Sequence, residues 1–393
     1  MKFTFSLLLI ASCCIAHAEL AIDTAFPGGS AKIESIDQAT RTIAIRPSPH
    51  PDLGWECWWN FKLTGIVPGE TLTLRVSGMS FALAERASFS RDDGRTWQHT
   101  PPGKVEKSQV TYALTFDQDS VRLAWGPPFQ LSDAQALIRR AVDCRVGAQP
   151  FDLTLSKGGN PVPAVRWEPA AAAGQKRKGL WVHARQHAWE SGSSWVCAGF
   201  VDWLCSDDAA AKSLRETTRI VVVPIMDVDN VELGAGGKDQ KPHDHNRDWS
   251  DKPVFDAVRT AQSMIREMDA AGEMDLFIDL HNPGPNDRKP FFFVSPPSLL
   301  PGQRAERLQQ WVTTAQSFLG RHPLGLADKT RESGPAYHPL WRQISKNWIA
   351  ANTNAPVVAV TLETSWNTPN STQDGYRTYG AALGQAVEAF LRK

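Results

Sequence analysis

The chain carries no excess charge of either sign: 42 Lys and Arg residues are matched by 42 Asp and Glu over 393 residues. With no basic surplus to neutralise phosphates, nucleic acid is not expected as a partner, and neither is an anionic membrane surface. Beyond the first 18 residues no segment reaches the roughly 20 apolar residues of a membrane-spanning helix. The cysteines lack a C-x-x-C spacing or any other metal-binding pattern. No internal repeat occurs, and the only low-complexity stretch is the alanine run at 170–173. What remains is ordinary globular usage, with 42% hydrophobic and 21% charged residues, which excludes a disordered or collagen-like chain. The length suggests two or three domains. Fifteen tryptophans imply buried aromatic clusters or aromatic-lined grooves.

Residues 1–18 combine one Lys, an apolar run and the small-x-small ending Ala16-His17-Ala18, the layout of a secretory signal peptide cut before Glu19. An exported, periplasmic or secreted protein is therefore expected. Lipoprotein processing at Cys13 ranks second, because Cys14, Ile15 and Ala16 continue the apolar stretch where a polar tether would follow. Export leaves Cys57, Cys144, Cys197 and Cys205 in an oxidising compartment, but their spacing predicts no particular bridge.

From about Phe26 to Trp125 short alternating runs such as RTIAIRP, WWNFKLTGI, TLTLRVSG and YALTF are separated by turn residues. This pattern predicts an N-terminal all-β sandwich over residues 19–130. Within it, Ser90-Arg91-Asp92-Asp93-Gly94-Arg95-Thr96-Trp97 matches the Asp-box hairpin, taken here as a fold element. From 131 to 393 the pattern becomes alternating strands and helices. The strand candidates GLWVHAR, RIVVVPIM, MDLFIDLH, PFFFV and PVVAVTLE are continuous apolar runs suited to a sheet covered on both faces. Helices are expected near 191–206, 253–272, 302–320 and 376–392, giving an α/β domain.

Four segments at strand ends or in loops carry chemistry. The first holds His187 and Glu190, an H-x-x-E pair leaving a strand; alone it is common by chance. The second is Asp279-Leu280-His281, where His281 completes the two-His, one-carboxylate set of a catalytic zinc and Asp279 can hold an imidazole by its second N–H. The third is His243-Asp244-His245-Asn246-Arg247, whose Arg247, with Asn246, can grip a carboxylate through paired N–H bonds. Its H-x-H pair as a second metal site is the lesser reading. The fourth ends in Glu363, an acid closing an apolar strand, costly there unless exposed or useful; beside a metal it can act as general base.

Together and in this order the four segments resemble the M14 zinc carboxypeptidases, and the N-terminal β-domain resembles their cytosolic-carboxypeptidase-like branch, in an exported bacterial-type subgroup. The resemblance covers nearly the whole mature chain. It implies a mixed, mainly parallel sheet flanked by helices, and one zinc ion held by His187, Glu190 and His281. It further implies Asn246 and Arg247 on the substrate's terminal carboxylate and Glu363 as catalytic acid and base. The implied partner is a peptide or protein C-terminus. Related sequences carry a Gly-Asn-Tyr-Arg segment whose Arg polarises the scissile carbonyl; here Gly234-Ala235-Gly236-Gly237-Lys238 stands in its place with no Arg, so either Lys238 substitutes as a point charge or that role is vacant. Tyr337 is matched to the family's substrate-capping Tyr. The side-chain pocket is expected between Ser333 and Asn352, drawing on Tyr337, Arg342, Lys346 and Trp348; Arg342 and Lys346 either favour an acidic C-terminal residue, as in deglutamylating relatives, or lie on a solvated helix face.

Two other functions fit parts of the pattern. An N-acyl amino-acid deacylase of the desuccinylase or aspartoacylase type shares the H-x-x-E…H set, but lacks a use for the large sandwich and the Asn-Arg pair. A binding protein holding glycan or peptide on a Trp-rich sandwich would have no use for all of these residues together. Oligomeric state is not legible.

Overall fold

The computed structural model describes residues 19–170, 177–354 and 356–393, so the signal-peptide expectation for residues 1–18 and most of the alanine run lie outside the described residues. The N-terminal part is built from β1 (Ala21–Asp23), β2 (Lys32–Asp37), β3 (Thr42–Arg46), β4 (Asn60–Thr64) and β5 (Thr71–Ser77). It continues with β6 (Ser88–Ser90), β7 (Gln98–His99), β8 (Lys104–Glu106), β9 (Gln109–Thr115) and β10 (Ser120–Ala124). These form two five-stranded sheets, ordered β1-β4-β10-β6-β7 and β2-β3-β5-β9-β8. Every second residue of β3, β5 and β9 is buried, so each strand turns one face inward. Ile43, Leu74 and Tyr112 from one sheet share a core with Phe61, Leu63 and Leu123 from the other. Pairing is antiparallel except between β3 and β5. The Asp-box is a structural hairpin: Asp92 accepts from the Thr96 amide and hydroxyl at 2.9 and 2.7 Å, Gly94 adopts φ +95°, and the Trp97 indole donates to the Gly94 carbonyl at 3.0 Å.

The chain then enters α1 (Leu131–Asp143) and an antiparallel hairpin, β11 (Gln149–Leu155) and β12 (Pro161–Trp167). Next come β13 (Lys178–Ala184), α2 (Ser191–Leu204), α3 (Ala209–Thr217), β14 (Thr218–Val223), α4 (Val228–Leu233), α5 (Asp256–Ala270) and β15 (Leu276–His281). The last elements are β16 (Phe291–Val294), α6 (Gln303–Leu319), β17 (Arg331–Glu332), α7 (Ser345–Asn352), β18 (Val358–Glu363) and α8 (Gln373–Leu391). The eight-stranded sheet runs β11-β12-β14-β13-β15-β18-β16-β17. Its central four strands are mutually parallel and its flanks are mixed. All six residues of β14, β15 and β18 are buried, the consequence of helices on both faces.

The hairpin β11–β12 escapes a reading of apolar runs, because Pro161 and Pro163 interrupt the second strand and β11 alternates on an exposed edge. Helix α2 is buried along almost its whole length, between the sheet and α8. The two helices meet through glycines: a Cβ on Gly199 would lie 1.9 Å from the Arg377 carbonyl, and one on Gly380 would lie 2.0 Å from the Val196 carbonyl.

The two parts share packed surface. Trp189, on the loop after β13, and Trp366, after β18, belong to the sandwich's core, where both meet Trp125 at ring-centroid distances of 5.0 and 4.2 Å. Backbone bonds from Gly28 to Glu232, Trp55 to Lys238 and Lys241 to Asp52 stitch the same seam.

Replacing Gly380 by Ala must force α8 away from α2. Overpacking of this kind costs about 1–3 kcal/mol. A lower urea midpoint at unchanged slope is the expected result, and an unchanged midpoint would show that the helices can part freely.

Candidate active site

The carboxyl ends of three neighbouring parallel strands converge, the position where open α/β sheets gather ligands. β13 ends at Ala184, and its continuation turns through Arg185, whose φ of +62° is unusual for a non-glycine residue. Arg185 holds that turn from inside: fully buried, it donates from Nε to the Ala188 carbonyl at 2.9 Å and from Nη1 to Phe129 at 3.1 Å. Burial brings its pKa down to about 9. The turn delivers His187 and then Glu190, which sits at the N-terminus of α2. β15 ends on His281 and β18 on Glu363, and these two residues are direct partners in the strand register.

The Glu190 carboxylate lies between two imidazoles. Its Oε1 is 2.7 Å from His187 Nδ1 and its Oε2 is 2.6 Å from His281 Nδ1. All three ligand atoms lie within 4.8 Å of one another, and among the described residues this is the single such group of His, Cys, Asp and Glu. Burial opposes ionisation of Glu190, but the two imidazoles outweigh it and hold the acid down to about 2. The far nitrogens are already engaged: His187 Nε2 is 3.3 Å from Asp244 and His281 Nε2 is 2.9 Å from Asp279. Imidazoles anchored on one nitrogen by a carboxylate, with the other free to coordinate, are the arrangement of a zinc site. Two Nδ1 atoms and a carboxylate facing one point therefore fit a zinc ion.

Asp279 is itself locked underneath. Its Oδ2 accepts from Gln186 at 2.7 Å and from Ser345 Oγ at 2.5 Å, while Oδ1 makes a 3.0 Å ionic contact with His183. Burial would favour the neutral acid, yet His281 and His183 hold its pKa far below the ordinary range.

Glu363 differs from these acids. Its Oε2 is buried without a hydrogen-bond partner, and burial pushes its pKa up to about 8 despite the opposing charge of His281. Asn246 Nδ2 lies 3.2 Å from His281 Nε2, and its Oδ1 accepts from the Ser345 amide at 2.9 Å. Arg247 is buried, donates to the Asn246 carbonyl at 2.9 Å, leaves Nε without a partner, and lies 6.0 Å from the Tyr337 ring. Lys238 donates to Asp244 at 3.2 Å. The three zinc-fitting residues, Glu363, Asn246, Arg247, Lys238 and Tyr337 all line one open cavity with about 760 Å³ of empty space.

Some expectations change. Arg342 and Trp348 do not line the cavity: Arg342 stacks on Trp341 at 4.5 Å, and Trp348 is buried against Trp249 and Arg266. Lys346 does line it, but fully buried rather than on a solvated helix face, with Nζ bonded to Ser333 Oγ and, at 2.8 Å, to Asn347 Oδ1. His243 and His245 point apart, the first to Asp248 at 2.7 Å and the second stacked on Phe255 at 3.8 Å. Asp244 between them is the residue that reaches the site. Arg331, Trp55 and Phe81 also line the cavity, and no local sequence signal marks them.

A sheet with these donors at its carboxyl end has the zinc carboxypeptidase-like fold. The zinc carboxypeptidase family (Peptidase_M14) matches residues 148–283. Cytosolic carboxypeptidase 2 of Xenopus tropicalis is 27% identical over 44% of this chain and 18% of its own length. Cytosolic carboxypeptidase 6 of Homo sapiens is 23% identical over 67% of this chain and 57% of its own. The chain thus spans less than a fifth of the first of these relatives and somewhat over half of the second. Among solved structures, a metallo-carboxypeptidase from Burkholderia cenocepacia superposes with a TM-score of 0.81 at 19% identity, over 95% of this chain and 99% of that one. One from Pseudomonas aeruginosa, in complex with (2-guanidinoethylmercapto)succinic acid, gives 0.77 at 20% identity over the same shares. Residues 148–283 thus match a zinc carboxypeptidase domain, and cytosolic carboxypeptidases are among the chain's homologues.

Purified protein dialysed against buffer with trace zinc should retain about one zinc per chain by elemental analysis, and H187A or E190Q should lose it. Full occupancy in both variants would show that the ion sits elsewhere.

Proposed function

We propose that the protein is a zinc carboxypeptidase that hydrolyses the C-terminal peptide bond of peptides or proteins. The observation that carries this reading is the placement of His187, Glu190 and His281 in one cavity with Glu363 and Arg247. His187, Glu190 and His281 would hold the zinc, which would supply a Lewis acid and lower the pKa of a bound water toward about 7. Arg247, with Asn246, takes the terminal carboxylate and so fixes which bond faces the ligand cluster. Glu363, its Oε2 buried and unpartnered, accepts the proton of the attacking water and returns it to the leaving amine. Lys238 brings positive charge to the same cavity, tethered through Asp244. Tyr337, packed at a tilt against Phe293 with ring centroids 5.1 Å apart, covers the Arg247 side. The competing deacylase reading gains no support from a cavity that extends well past the carboxylate grip.

The cavity wall supports an acidic preference for the C-terminal residue. Lys346 uses two of its three N–H donors on Ser333 and Asn347, leaving one for a ligand, and Arg331 adds a second cation. Export and a division into 19–130 and 131–393 belong to the same proposal. Export rests on the sequence of residues 1–18. The division rests on the change of pattern near Pro127-Pro128. No helix among the described residues is long and apolar enough to cross a membrane.

Replacing Arg247 by Ala should lower kcat/KM on peptides with a free terminus at least about 100-fold and bring them level with C-terminally amidated peptides. Unchanged discrimination would remove Arg247 from carboxylate recognition. E363Q should keep its zinc and lose turnover by a factor of roughly 100 or more. Burial brings the Lys346 ammonium down to about 7, while Asp279, Glu332 and Glu363 pull it up and Arg247 pushes it down. Its charge is present below that value and lost as pH rises through it. The ratio of kcat/KM for C-terminal Glu over C-terminal Gln should therefore fall between about pH 6 and 8, and K346M should show no such fall.

A further inference from the structure

The cavity has two aromatic walls from different parts of the chain. One is Phe291, Phe293 and Tyr337, joined ring to ring at 5.2 and 5.1 Å, with Phe291 opposite Glu363 in the strand register and Tyr337 beside Arg247. The other is Trp55, Phe81 and Trp189: Trp55 and Phe81 lie 4.3 Å apart, and Phe81 meets Trp189 edge-on at 5.6 Å. No ring contact joins the two walls among the described residues. Two of the three rings in the second wall belong to the N-terminal sandwich, and they are held firmly. The turn bearing Phe81 accepts the Trp125 indole at the Phe81 carbonyl, at 2.7 Å, and the Trp59 indole at the Ala82 carbonyl, at 3.1 Å. The Trp55 amide donates to the Lys238 carbonyl at 2.9 Å, and a Cβ on Gly284, across the cavity mouth, would touch Phe81 at 3.5 Å.

We infer that Trp55 and Phe81 form the subsite for the side chain on the amino side of the scissile bond, and that this subsite selects apolar or aromatic residues. The inference rests on the carboxypeptidase reading. With the terminal carboxylate on Arg247, the last side chain lies by the Tyr337 wall and Lys346. The penultimate residue then falls on the opposite side of the His187–Glu190–His281 cluster, where half-buried rings fixed by backbone contacts offer apolar surface with little ordering left to lose. Both residues are specificity determinants that act on the substrate directly.

N-acyl dipeptides with a common C-terminal residue and Phe, Leu, Gly or Asp before it measure this. Wild type should favour Phe over Gly by roughly 10-fold or more in kcat/KM. F81A and W55A should each reduce that ratio to below about 3, and W55F, which keeps a ring and guards against a folding defect, should restore most of it. A flat wild-type profile, or a ratio unaltered in F81A, overturns the subsite. The same pair of dipeptides titrated calorimetrically into zinc-loaded E363Q gives the comparison without turnover. Retained discrimination in binding alongside no hydrolysis by wild type would count against the hydrolase reading alone, whereas equal binding would count against the subsite.

Discussion

A carboxylate shared by two imidazoles, buried at the end of a parallel sheet, is the constraint on which the rest of this molecule depends. Glu190 between His187 and His281 is stable only because each imidazole is held from behind by another acid, Asp244 or Asp279. Three buried carboxylates next to one another would repel strongly without those rings and without the donors around them. Gln186, Ser345 and His183 around Asp279, and Lys238 beside Asp244, make the cluster tolerable away from water. Glu363 stands apart in this balance: its Oε2 has no hydrogen-bond partner, and burial pushes its pKa up to about 8.

The strand order follows from the same need. β13, β15 and β18 are consecutive neighbours, so the two elements ending in His281 and Glu363 are in register and the turn after β13 lies alongside them. A slip of one residue in β18 would turn Glu363 to the opposite face of the sheet. The fully buried and mostly apolar interiors of these strands, with helices on both faces, fix that register against slippage.

Much of this was legible in the chain. Continuous apolar runs marked the central strands, and the polar residues that closed them, His281 and Glu363, stood out because such runs have no structural use for them. The H-x-x-E spacing and the Asn-Arg pair were visible as short-range patterns. What escaped was long-range. Asp244 is flanked by two histidines that drew attention to themselves and turned away, and its role depends on the fold of the glycine-rich loop before it. Lys346 could be placed in the pocket wall or on a solvated helix face with equal right; only packing of α7 against β15 and β18 decides, by burying it. Trp55 and Phe81 come from a region with no chemical motif, more than 100 residues from the metal-binding turn, and nothing local links them to it. β11 and β12 were hidden by prolines and by edge exposure.

Trp189 precedes Glu190 directly, and its ring is buried in the interior of the β-sandwich. The peptide that supplies a metal ligand is thereby rooted in the hydrophobic interior of the other half of the molecule. A change of volume at Trp125 or Trp366, whose rings lie 5.0 and 6.2 Å from that of Trp189, presses on the residue next to Glu190. Recombination that exchanged one half for a distant homologue's would break the fit of those indoles, so the two regions are expected to descend as a single inherited unit.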